Sequence, residues 1–397
     1  MKKCLLFIIP SLSSGGAERG LITLLSLINY DEYEVDLMLF RREGLFLEQV
    51  PPKVNVIDAG EDYKDFDGSF LQSLLYFVKH RKLKLAIARI KYMFALKKQE
   101  SFEKRRLVWK DLSLALPRLE KKYDVSIGYL EGNATYYCID KTNAKNKIGY
   151  IHSDYKKLGM DSEFDSRYFE KLNSVVTVSK ACADSLIKTI PSVKEKTVVI
   201  ENIISVAEIK KLSISAPVFV CKSDCVKLLT VGRLSYEKGI DIAIKACKIL
   251  VKEGYNICWY VIGSGELMDN IENLVKQKGL ENHFFLLGQQ ENPYKYMAQC
   301  DIYVQPSRYE GKSIAIDEVK ALAKPIVTTN FTTIHDQIED KITGLIAEID
   351  PSSLAEKIKL LIESPDMGDC LCENLKCKVT DNTDEIDKVY ALINNDA

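Results

Sequence analysis

Short, unbroken apolar runs recur along this chain, each closed by a turn and followed by a stretch of helical period. Lys3 to Ile9 is the first, and Ser13-Ser14-Gly15-Gly16 ends it before a helix predicted from Ala17 to about Ile28. A strand apolar on both faces suits a parallel sheet covered by helices on each side. Further runs at Tyr33 to Phe40, Val54 to Ile57, Asp124 to Gly128, Lys147 to Ile151, Val175 to Val178 and Thr197 to Ile200 predict the rest of a first sheet. Periodicity lapses through Ser205 to Cys225, a stretch with Pro217 and several serines. Strand signals resume at Val226 and continue at Asn256 to Ile262, Phe284 to Leu287, Asp301 to Gln305, Pro325 to Thr328 and Leu345 to Ala347. The pattern predicts an α/β protein of two doubly wound, Rossmann-like domains. Their expected extents are 1–204 and 226–379, with a linker at 205–225 and a terminal helix within 380–397.

Composition bounds the rest. A chain of 397 residues exceeds one ordinary core, and 46% hydrophobic residues can fill two. The formal net charge of -1 gives no general attraction to nucleic acid. Eleven cysteines are spread without a paired C-x-x-C spacing. Cys221/Cys225 and Cys370/Cys372/Cys377 miss zinc patterns, so thiols rather than a metal site are expected. No signal peptide or membrane-spanning apolar run is visible, and a reduced, cytoplasmic protein is expected.

Charged residues gather where strands hand over to helices. Leu228 to Val231 leads into Gly232-Arg233-Leu234, with Lys238-Gly239 at the next helix start. A guanidinium fork and an ammonium on one turn can neutralise a diphosphate. After Asp301 to Gln305 comes Pro306-Ser307-Arg308-Tyr309-Glu310-Gly311-Lys312-Ser313-Ile314, with Glu318 eight residues beyond Glu310. Backbone N–H groups and the helix dipole favour phosphate there, and the two carboxylates can read hydroxyls. Phosphate beside hydroxyls points to a nucleotide sugar.

The ordered set Gly232-Arg233, Lys238-Gly239, Val261-Ile262-Gly263-Ser264-Gly265-Glu266, Gly288, Pro306-Ser307, Glu310-Gly311 and Glu318 resembles the C-terminal half of family 4 retaining glycosyltransferases of the GT-B fold. Four departures bear on donor identity and leave the charged residues untouched: Ser313 for Pro, Val319 for Ala, Ala323 before Lys324-Pro325 for Gly, and Ile203 after Asn202 for Gly. The resemblance implies two domains facing each other across a cleft, with the terminal helix packing back on the first. It implies transfer from a nucleotide diphosphate sugar, UDP-linked by default, with no metal or other cofactor. Arg233, Lys238, Glu310 and His152 would be catalytic. Gly15, Gly16, Gly232, Gly263, Gly288, Gln290, Gly311, Lys312, Ser313, Ile314 and Glu318 would join Arg233, Lys238 and Glu310 in holding the donor. Glu131-Gly132-Asn133 ends another strand, where a helix cap competes with a functional reading.

Three other motifs are imitated and fail. Gly311-Lys312-Ser313 would need a glycine at Pro306 to be a triphosphate loop. As a hydrolase elbow, Ser313 lacks an acid partner in chain order. Gly263-x-Gly265 has Met268 at the third glycine of a dinucleotide fingerprint. A sugar-nucleotide epimerase of the same fold and a non-catalytic nucleotide-sugar-binding subunit remain alternatives.

From Lys79 to Lys110, twelve Lys and Arg face only Glu100 and Glu103, interleaved with Leu83, Leu85, Ile87, Ile90, Tyr92, Met93, Phe94 and Trp109. This mixture suits an anionic membrane surface, where a lipid-linked or polysaccharide acceptor would be met, and offers no stacking platform for nucleic acid. The rival expectation is that the apolar residues pack inward. The first reading places the protein peripherally on the inner face of the cell membrane.

Overall fold

The computed structural model describes residues 2–13, 15–97, 102–216, 219, 225–378 and 381–394, with backbone alone at 97 and 102–106. Two compact units share the chain: Met1–Ser13, Ala17–Glu201 and Ile386–Ala397 form one, and Ser14–Gly16 with Asn202–Glu385 the other.

The first unit holds seven strands: β1 (Lys3–Ile9), β2 (Tyr33–Leu39), β3 (Asn55–Asp58), β4 (Lys122–Gly128), β5 (Asn143–Ile151), β6 (Ser174–Thr177) and β7 (Thr197–Val199). They lie in the order β3-β2-β1-β4-β5-β6-β7, all parallel. Leu5 to Ile9 are wholly buried, as the unbroken run requires. β5 begins four residues before the hydrophobic signal: Asn143, Ala144 and Asn146 already pair with β4, although Ala144 alone of Asn143 to Asn146 is apolar.

The second unit holds β8 (Val226–Val231), β9 (Ile257–Ile262), β10 (Phe284–Leu286), β11 (Ile302–Gln305), β12 (Ile326–Thr329) and β13 (Leu345–Ala347). The order is β10-β9-β8-β11-β12-β13, again parallel throughout. Apolar clusters cover both faces of this sheet. The direction of winding reverses between β8 and β11, the crevice where ligands of such sheets bind. Trp259 is completely buried, and its indole N–H donates to Thr230 Oγ1 (3.0 Å), whose hydroxyl donates to the Val304 carbonyl (2.7 Å).

The stretch expected to be a linker is partly regular. Val206–Ser213 is a helix, capped by Ser205 Oγ accepting from the Glu208 N–H (3.3 Å), and Ile209 is buried in the second unit's core. Eight residues are too few to establish a helical period by sequence. Glu385–Asn394 is also helical, and its contacts lie on the first unit: Tyr390 stacks on Tyr33 with centroids 5.4 Å apart.

Candidate active site

In the second unit, the C-terminal ends of four neighbouring strands carry every residue expected there. β8 leads to Gly232, Arg233 and Lys238; β9 to Gly263; β10 to Gly288 and Gln290; β11 to Glu310 through Ile314, with Glu318 on the helix Ile314–Ala321. Two glycines make this close packing possible. Gly239 has φ 65°, and a Cβ there would stand 2.0 Å from the Pro306 carbonyl oxygen. At Gly263, φ 145°, it would stand 1.9 Å from the Gly232 oxygen.

Lys238 and Glu310 meet. The ammonium donates to both carboxylate oxygens, at 2.6 and 2.8 Å, and the carboxylate is 9% exposed. Ser307 Oγ donates to the same Oε1 (2.7 Å), and Gln305 Nε2 donates to it as well (3.1 Å). Tyr303 OH donates to Gln305 Oε1 (2.6 Å) and so fixes which way that amide points. Three donors on one partly buried carboxylate hold it in place. The sequence assigned Lys238 and Glu310 to separate tasks, whereas they form one pair.

Arg233 differs. It is exposed, and among the described residues its guanidinium has no hydrogen bond or ion pair. Backbone bonds hold its loop beside it, Leu234 N–H to the Ser264 carbonyl (3.0 Å) and Gly232 N–H to the Ile262 carbonyl (2.9 Å). A cation on a fixed loop with no partner is ready for an anion.

The remaining expected residues are more engaged than their sequence context suggested. The Ser313 N–H, expected to face phosphate, donates to Gln337 Oε1 (2.9 Å), and Gln337 Nε2 returns a bond to the Ser313 carbonyl (2.8 Å). Lys312 Nζ lies 3.4 Å from Asp317 Oδ2, both nearly buried. Glu318 Oε1 accepts from Tyr294 OH (2.8 Å), and Gln290 binds the Leu287 carbonyl (2.9 Å) and Tyr296 OH (3.2 Å).

Arg308 was passed over in the sequence. Its guanidinium grips Asp241 through two bonds (2.8 and 2.9 Å), donates to the Tyr236 carbonyl (2.8 Å) and lies 4.3 Å from the Tyr236 ring centroid. Its backbone N–H donates to the Glu237 carbonyl (2.7 Å). The loop bearing Glu310 is thereby tied to the loop bearing Lys238. An Arg before an aromatic residue in a loop gives no sequence signal for this.

β1 of the first unit leads to Gly15 and to Gly16, the first residue of the helix Gly16–Leu27, although Ser14–Gly16 group with the second unit. β5 leads to His152, 9% exposed, with neither ring nitrogen in a well-formed hydrogen bond. Its ring packs against Tyr129 and Tyr150. Burial holds the imidazole down, to about 4, an effect the Tyr129 backbone only partly offsets. The His152 N–H donates to Glu131 Oε2 (3.0 Å), which gives Glu131 a role that sequence could not separate from a helix cap. Burial raises the Glu131 carboxyl, against that backbone bond, and Glu18 in the first turn of the helix Gly16–Leu27 adds to the rise.

Two parallel Rossmann-like sheets, with cations and carboxylates at the strand ends of the second, define the GT-B class. The whole chain has that fold in Anabaena HepE, solved in complex with UDP and glucose: the TM-score is 0.69 at 17% identity, over 98% of this chain and 99% of that one. Residues 218–376 match the family of glycosyl transferases group 1. The N-acetylgalactosamine-N,N'-diacetylbacillosaminyl-diphospho-undecaprenol 4-alpha-N-acetylgalactosaminyltransferase of Campylobacter jejuni is 25% identical over 391 residues, 98% of this chain and 97% of its own. An uncharacterized glycosyltransferase of Methanocaldococcus jannaschii is 26% identical over 171 residues, 42% of each chain. The chain has the GT-B fold, and the match to the group 1 glycosyl transferases lies in its second unit.

Proposed function

We propose that this protein moves a sugar from a UDP-linked donor, with retention at the anomeric carbon, to a hydroxyl of a lipid-linked or polysaccharide acceptor at a membrane surface. The observation that carries the reading is the exposed Arg233, unpartnered among the described residues, on the same loop as Lys238, whose partner Glu310 comes from the loop after the neighbouring strand. Arg233 meets the diphosphate. Lys238, held by Glu310, stands ready to offer its remaining N–H to the departing phosphate. Negative charge grows on that leaving group in the transition state, so cations fixed beforehand lower the barrier without rearranging. The protein supplies this charge itself, with no metal in the scheme. Glu310 and Glu318 accept from donor hydroxyls, and neutral His152 offers a ring N–H and a lone pair to a sugar hydroxyl.

UDP in the HepE structure supports the base, and the diphospho-undecaprenol acceptor and alpha product in the Campylobacter enzyme's name support acceptor and stereochemistry. Arg233→Ala is expected to lower kcat for transfer from UDP sugars at least ~100-fold, the effect of losing one transition-state donor. Release of UDP from a panel of UDP sugars, with and without lipid-linked acceptor, checks it. Turnover unchanged in the variant would sink the assignment.

A further inference from the structure

Eight of the fourteen large apolar side chains that stand exposed among the described residues lie between Leu71 and Leu96. Their spacing is not scattered. On the helix Phe70–Lys79, Leu71, Leu75 and Val78 point outward, 70, 71 and 58% exposed, while Ser73 and Phe77 are buried. On the helix Leu83–Lys97 that packs beside it, Leu83, Ile87, Ile90 and Phe94 follow the same spacing of three and four, 60, 54, 37 and 63% exposed. Leu85, Ala86 and Ala88 take the inward face of that helix, in the first unit's core. Each helix therefore buries one side and presents a second, complete apolar stripe to solvent. Core packing requires only the first.

Exposed charge on these two helices is of one sign. From Phe70 to Lys97 there is no Asp or Glu, and seven Lys and Arg. Arg89 is buried, with its guanidinium donating to the Gly68 carbonyl, and Lys82 pairs with Asp62. Lys79, Arg81, Lys84 and Lys91 remain exposed around the stripes. A soluble protein partner for such a face would need a matching acidic rim, and a second copy would bring the same cations against these. An anionic bilayer answers both features, since it takes apolar side chains below its headgroups and cations among them.

We propose that the outward stripes of these two helices are the surface by which the protein lies on a bilayer rich in anionic phospholipid, with Leu71, Leu75, Ile87 and Phe94 entering the headgroup boundary. This deepens the membrane element of the proposed function and rests on it only for the acceptor's location. The inward-packing alternative for Leu83, Ile87, Ile90 and Phe94 does not hold, although Leu85 and Trp109 are indeed buried. Side chains at 97–106 lie outside the described residues.

Co-sedimentation of the full chain with phosphatidylcholine vesicles, with and without phosphatidylglycerol, tests the proposal. Wild type is expected to bind the phosphatidylglycerol vesicles at least about tenfold more tightly, since each cation near an anionic surface contributes about fivefold. Ile87→Asp with Phe94→Asp should abolish this binding, because exposed positions accept aspartate without loss of fold. Lys84→Glu with Lys91→Glu should abolish the preference for anionic lipid. Failure of wild type to bind, or equal binding to both vesicles, overturns the proposal. So does wild-type dimerisation in sedimentation velocity that Ile87→Asp dissolves without any vesicle binding. Hydrolysis of UDP sugars in vesicle-free solution separates the two readings: vesicle binding by a protein that never turns over donor sinks the transferase scheme alone.

Discussion

At the scale of single residues, the charged groups were legible and their supports were not. Arg233, Lys238, Glu310 and Glu318 stood out as cations and carboxylates ordered at successive strand-to-helix turns, and the structure gathers them at the strand ends of one sheet. Tyr303, Gln305, Ser307 and Gln337 did not, because a neutral polar residue gains meaning only from the acceptor it reaches, and those acceptors are local geometry. His152 was legible as a strand-end histidine, but its burial was not, and burial sets its chemistry. With its ring held near 4 instead of 6.5, the folded protein refuses a proton that the unfolded chain accepts between those values. The neutral ring's contribution to stability is complete above pH 6.5 and is lost as pH falls toward 4, by about 3 kcal/mol. Urea unfolding at neutral pH and near pH 4.5 should show this loss in wild type and its absence in His152→Gln, whose amide cannot titrate. An identical acid sensitivity in the two proteins would mean that other groups carry it.

At the scale of elements, all thirteen strands were readable, since each centres on an apolar run between turn residues, and strand-then-helix alternation implies a doubly wound order. Less readable was which side a helix turns inward. Residues 83–94 offer two apolar faces at compatible spacing, and only packing chooses Leu85 and Ala88 over Ile87 and Phe94. Ties between loops were invisible too, Arg308 above all. By clamping Asp241 at the start of the helix Ile240–Lys252, it sets where Glu310 stands relative to Lys238. Arg308→Lys keeps the charge and loses the fork. It should lower kcat for transfer by about tenfold with a smaller change in KM, because a misplaced pair fails mainly in the transition state. Arg308→Ala and Asp241→Ala should each destabilise by about 1 to 3 kcal/mol, with the double variant well short of their sum. Full additivity in urea unfolding would show that the two side chains act separately.

At the scale of the whole molecule, the chain leaves the first unit at Glu201 and returns to it for its last helix. Helical period at 384–393 was readable, and its return to the first unit was expected from the family resemblance alone, since no local pattern shows a contact across some 360 residues. The return is specific. Tyr390 OH accepts from the Asn29 N–H (2.9 Å) and donates to the Leu27 carbonyl (3.3 Å), Asn146 Nδ2 reaches the Leu392 carbonyl (2.9 Å), and Val389 and Ile393 are buried. Ile393→Ala leaves a cavity beneath this helix and should cost about 2 to 5 kcal/mol, and Tyr390→Ala about 2 from its lost ring pair and hydrogen bonds. Because those contacts belong to the first unit, the loss should be local. Hydrogen exchange followed by mass spectrometry should show faster exchange in β2 and β5, which neighbour the helix through Tyr33 and Asn146, while β9 and β11 keep their protection. Equal deprotection of both sheets would show that the units unfold as one cooperative body, and the terminal helix would then be a brace for the whole chain.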